Sequence, residues 1–169
     1  DAFHVTGNRA TMLFEGCDTA GLGDDDYNFC VLSSSIREVR SPTQIVIRQK
    51  FPIQYNPMRA GETLMVMNDE NRIIGSAVIA ALEEAPLKGD EPIENGGRCP
   101  VVTVTLKEPF PGLERGLTVW AKEAANPDTT MRNCRASFSC RMQTSLRIED
   151  CVFDCYNVCY GMSPKHPNV

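Results

Sequence analysis

The chain has 169 residues, with 17 Lys and Arg against 22 Asp and Glu, a formal charge of −5 and a pI near 5.1. It offers no basic field of the kind that concentrates phosphate backbones, and nucleic acid is not an expected partner. No apolar run approaches membrane length and no basic-then-apolar leader opens the chain, so no membrane partner is expected and the start at Asp1 reads as part of a longer protein.

In chain order, the first informative phrase is Phe14-Glu15-Gly16-Cys17, which reads apolar, charged, small or polar, then Cys. It recurs as Met131-Arg132-Asn133-Cys134 and as Ile148-Glu149-Asp150-Cys151, the last two copies 17 residues apart. That spacing suits one lean turn of a solenoid of short strands, in which equivalent positions stack and the cysteines form an internal ladder. From Arg147 to Asp154 charged and apolar side chains alternate before Asp150 and again after it, with a turn between, which is strand texture rather than helix texture.

The first and second copies are 117 residues apart, far too many for one turn, so about a hundred residues must leave the repeat and return. Within that excursion, strands are expected at Ser35 to Val39, Gln44 to Gln49, Thr63 to Asn68, Arg72 to Leu82, Val101 to Leu106 and Leu117 to Ala121. A helix over Ser76 to Glu84 is the alternative for one of them, because Ala is common there. Glu84 to Pro100, polar and rich in Gly and Pro, reads as an exposed loop. The expected organisation is all-β: a right-handed parallel β-helix over 1–34 and 124–169, with an inserted β-barrel-like lobe over 35–123.

The eight cysteines include no CxxC pair. Zinc is therefore disfavoured, no metal or other cofactor is expected, and the thiols read as small core residues. The densest polar segment is Gly23-Asp24-Asp25-Asp26-Tyr27-Asn28. Three adjacent carboxylates repel one another, and crowding of this kind favours keeping one protonated while its neighbours stay ionised, the division of labour of an acid/base pair. A solvated acidic turn is the plainer reading of the same residues. Asp1 precedes Asp24 by 23 residues, about one solenoid turn, so the two can meet on neighbouring strands about 5 Å apart. Glycoside hydrolysis needs such a set, one carboxylic acid for the leaving oxygen and another carboxylate for water or the sugar.

These residues resemble a known family. Asp1-Ala2-Phe3-His4-Val5, the Gly23-to-Asn28 turn, the β-rich insertion and the return through Met131-Arg132-Asn133-Cys134 to Gln143-Thr144-Ser145-Leu146-Arg147-Ile148-Glu149-Asp150-Cys151-Val152-Phe153 look like the β-helix α-galactosidases of glycoside hydrolase family 110. The resemblance implies an inverting exo-α-galactosidase acting on terminal α-linked galactose of an oligosaccharide or polysaccharide, without cofactor, in an extracellular or periplasmic setting. Asp1 matches the family's first acid, and Asp24 and Asp25 its acidic pair. His4, Asp26, Tyr27 and Asn28 are the expected sugar-binding neighbours. A β-helix polysaccharide lyase and a non-catalytic carbohydrate-binding solenoid are the alternatives. A lyase needs a base and a cation or Arg for its uronic acid, whereas an acidic, Arg-poor cluster suits a neutral sugar.

The remaining candidates are weaker. His4 and His166 are the only histidines, far apart in sequence, and no nucleophilic Ser or Cys has an obvious histidine nearby, which argues against a triad. Trp120, at the end of an expected strand, reads as core. Glu15 and Glu149 hold equivalent repeat positions and read as solvent-facing ladder charges.

Overall fold

A computed structural model describes residues 1–49, 57–85 and 101–160, in two compact units. Unit 1 combines Asp1–Val31 with Glu123–Val169, and unit 2 is Leu32–Lys122. The strands in chain order are β1 (Phe3–Thr6), β2 (Met12–Glu15), β3 (Tyr27–Cys30), β4 (Ser34–Ser41), β5 (Gln44–Gln49), β6 (Thr63–Met67), β7 (Ile73–Glu84), β8 (Val101–Leu106), β9 (Thr118–Ala121), β10 (Thr129–Arg132), β11 (Arg135–Ala136), β12 (Ser139–Met142), β13 (Leu146–Glu149), β14 (Val152–Phe153) and β15 (Asn157–Tyr160).

Unit 2 is a closed antiparallel barrel in the order β4-β5-β8-β7-β6-β9. Its strands lie at or near the bounds read from the sequence, because Val, Ile and Thr alternate with period two and side chains on a strand point to opposite faces in turn. Val102, Val104 and Leu106 of β8 point inward, with Ile36, Ile45, Ile47, Leu64, Val66, Ile79 and Val119 also buried in this unit. Trp120 is buried as well. The region offered as a helix is the long strand β7. Closure of the barrel pairs every strand on both sides, which removes exposed sheet edges. Most of the expected loop, at 86–100, lies outside the described residues, as do Cys99 and His166.

The expected right-handed parallel β-helix is corrected by the structure. The larger part of the ordered β structure is the antiparallel barrel, and unit 1 consists of three small parallel sheets: β1-β3-β12-β15, β13-β10-β2 and β11-β14. The physical reason lies in the repeat itself. Its three copies supply the three strands β2, β10 and β13, paired Phe14↔Met131↔Ile148 and Glu15↔Arg132↔Glu149. A repeated phrase reports parallel pairing in register, and three copies make a three-stranded sheet.

Each position of the phrase has a separate job. The third residue, Gly16, Asn133 or Asp150, has φ of 64°, 50° or 50°. These are left-handed turns that end each strand, and Gly, Asn and Asp are the residue types that adopt them most readily. At the second position Arg132 lies between two acids, with Nε donating to Glu149 at 2.7 Å and Nη1 to Glu15 at 3.0 Å. Hydrogen bonding to Arg132, aided by Arg147, holds the Glu149 carboxyl below its ordinary range. At the fourth position Cys134 is buried, Cys17 and Cys151 are half-buried, and all three are free thiols. The Cys134 N–H donates to Cys151 Sγ at 3.4 Å, so the cysteines do stack.

The core of unit 1 gathers Tyr27, Phe29, Met131, Cys134, Ala136, Cys140 and Met142, with Phe3 and Phe14 packed against it. Phe3 stacks on Tyr27 at 5.2 Å and on edge against Phe14 at 5.1 Å, geometries that suit the quadrupoles of aromatic rings.

Candidate functional site

The acidic cluster is assembled by the pairing of β1 with β3, in which Phe3 lies beside Tyr27 and His4 beside Asn28. The ladder continues outward, because the Ala2 N–H donates to the Asp25 carbonyl at 3.0 Å and the Phe3 N–H to the Asp26 carbonyl at 3.1 Å. Asp1 is thereby set against Asp24 and Asp25, and one carboxylate oxygen from each lies within 4.8 Å of the others.

The three acids differ in their surroundings. The Asp1 side chain is only 15% exposed and accepts from His4 Nδ1 at 2.5 Å. Asp24 is 72% exposed, with Oδ1 accepting from the Asp25 N–H at 2.9 Å. Asp25 is half-covered, and its Oδ1 accepts from the Ser139 hydroxyl at 2.6 Å. All three carboxylates are thus held by neighbours, Asp24 in addition by the Asp1 ammonium 3.8 Å from its Oδ2, and Asp24 is the most exposed of them. A depression nearby is lined in part by Ala2, Phe3, Cys17 and Leu22 and by none of the three acids.

Asp26, Tyr27 and Asn28, expected beside the acids, are all buried. Tyr27 is fully buried, with its ring in the aromatic core, which leaves no face for a sugar. Asp26 is also fully buried, and its Oδ2 accepts three backbone N–H groups, from Ser137 at 3.0 Å, Phe138 at 2.7 Å and Ser139 at 3.2 Å. It anchors the turn entering β12. Asn28 is at the opposite phase of β3 and nearly buried; its Oδ1 accepts from the Cys30 thiol. Burial pushes the Cys30 thiol up, partly offset by Arg141.

Two further residues join the site through β12. Ser139 reaches Asp25, and Arg141 pairs in register with Asn28, so His4, Asn28 and Arg141 form one row across three strands. Neither signals itself locally in the sequence, since only the β3–β12 register brings them beside the acids.

No helix among the described residues is long and apolar enough to cross a membrane. No family model matches the chain, and no curated protein matches it.

Proposed function

We propose that Asp1, Asp24 and Asp25 are the catalytic carboxylates of a glycoside hydrolase, of the inverting exo-α-galactosidase type that the family 110 resemblance implies. The observation that carries this reading is the meeting of three carboxylates from segments 23 residues apart, all hydrogen-bonded and one of them largely exposed at the surface. In this scheme Asp25, held by Ser139, and Asp1, held by His4, orient and deprotonate the attacking water. Asp24 turns outward to protonate the leaving oxygen. His4 and Arg141, on either side of the nearly buried Asn28 in the same row, supply hydrogen bonds for sugar hydroxyls. The natural setting would be extracellular or periplasmic, on an oligosaccharide or polysaccharide.

A second reading is favoured by one distance. Oxygens within 4.8 Å of one another sit closer than the about 6.5–9.5 Å between carboxyl groups of inverting enzymes and nearer the about 5–5.5 Å of retaining ones. In a retaining enzyme Asp25 would be the nucleophile.

Incubation with a panel of nitrophenyl glycosides tests the proposal. The α-galactoside is expected to be cleaved in preference to the other neutral sugars, and no release from any of them would overturn the reading. Proton NMR of the fresh product then separates the mechanisms, with β-galactose first for inversion and α-galactose first for the retaining alternative.

A further inference from the structure

Asp26, Cys140 and Cys155 form a second constellation in unit 1, on the core side of the parallel strands. One carboxylate oxygen and the two Sγ atoms lie within 4.8 Å of one another, with the two sulfurs 3.8 Å apart. Asp26 and Cys140 have no solvent exposure, and Cys155 is half-buried.

The geometry of Asp26 poses a question that the protein alone leaves open. Its Oδ2 is saturated by the three N–H groups of Ser137, Phe138 and Ser139, while Oδ1 is buried with no hydrogen-bond partner. A buried carboxylate oxygen without a partner is costly, because water has been removed and nothing replaces it. The two thiols that lie within 4.8 Å of an Asp26 carboxylate oxygen are weak donors, and neither makes a hydrogen bond to Oδ1. Two thiolates and a carboxylate could not all ionise together in such a place without a compensating positive charge.

We infer that Asp26, Cys140 and Cys155 bind one thiolate-preferring divalent cation of the zinc class, with Asp26 Oδ1 and the two sulfurs as ligands. A dication replaces the two thiol protons, which leave to solvent, and reduces the charge of the ionised ligand set from −3 to −1. Sulfur ligands select zinc-like ions over magnesium or calcium, and a single carboxylate oxygen completes three of the four positions such ions ordinarily fill. The hydrogen bonds to Oδ2 give the carboxylate the outer-shell support common in metal sites. Entry is from the Cys155 side, the one part of the set that reaches solvent. The absence of a CxxC motif does not oppose this site, because its ligands come from separate segments. Asp26 precedes β3, Cys140 lies in β12 and Cys155 precedes β15, and the β3-β12-β15 order brings them together. Both thiols must lose their protons to bind the ion, so occupancy should weaken as pH falls.

Cobalt(II) titration of the fully reduced protein reads the site directly. One equivalent should produce a sulfur-to-cobalt charge-transfer band in the near ultraviolet and be displaced by zinc. Cys155→Ser, at the half-exposed position, should abolish the band, whereas Cys151→Ser in the neighbouring thiol stack should retain it. On the unmutated protein, zinc should slow alkylation of Cys140 and Cys155, mapped by peptide mass, by roughly tenfold or more while leaving Cys30 unchanged. Absence of a thiolate band, a band that survives Cys155→Ser, or zinc protection of other cysteines instead would overturn the assignment.

Discussion

Replacing Asp25 by Asn is expected to lower turnover of the α-galactoside by about 10²- to 10⁴-fold, the range typical of lost acid/base catalysis, with the fold retained. Asn keeps the shape of Asp25 and an oxygen able to accept the Ser139 hydroxyl, so the substitution removes charge and basicity while the 2.6 Å hydrogen bond can persist. The same substitution at exposed Asp18, outside the cluster, should leave turnover near the unmutated value. Steady-state kinetics of the two variants makes the comparison, and KM separates a chemical role from a binding one. A turnover loss at Asp25 with KM little changed fits water activation or attack. A rise in KM alone would mean that Asp25 only holds the sugar.

Asp26→Ala should destabilise unit 1 by about 3–5 kcal/mol, the cost expected when a buried charged acceptor is removed from the donors it serves. The side chain is fully buried and receives three backbone N–H groups from Ser137, Phe138 and Ser139. Truncation strands those donors where water cannot easily reach them. Asp26→Asn should fall between the unmutated protein and Ala, because its amide oxygen can still accept while the charge is lost. Urea unfolding followed by circular dichroism reads the midpoints. A shift in Asp26→Ala no larger than that of a surface substitution would show that these hydrogen bonds do not anchor the turn.

These two neighbouring acids show what the sequence revealed and where it stopped. Three consecutive Asp residues look alike as text, yet the entry into β3 sends Asp24 to solvent, leaves Asp25 half-covered and buries Asp26 completely. Tyr27, expected among the sugar-binding neighbours of the acids, has its ring in the aromatic core of unit 1. The nearness of Asp1 to Asp24 and Asp25 was legible, since a spacing of 23 residues is close to the 24-residue offset of Phe3 and Tyr27 in the β1–β3 register, 27 − 3. Ser139 and Arg141 were not, because their approach depends on β12 returning beside β3 after the barrel.

The fold divides in the same way. Barrel strands were readable from β-branched residues at period two, a signal contained within each segment. The Cys phrase marked stacked equivalent positions, which pair in parallel register, whereas the left-handed strand ends and the Arg132 bridge between two acids emerge only in the structure. Extending three copies to a whole β-helix went beyond what they encode. The Asp26, Cys140 and Cys155 set left no trace in local spacing, since it exists only once three separate strands are aligned.

The central claim, that the Asp1, Asp24 and Asp25 cluster meets a galactosyl unit, is tested most directly by titrating the isotopically labelled protein with galactose and following backbone amide signals by NMR. Saturable shifts are expected at Ala2 to Val5, at Asp24 and Asp25, and around Ser139 to Arg141, with the barrel signals unmoved. Saturable shifts confined to the barrel, or none at any galactose concentration up to the solubility limit, would contradict it.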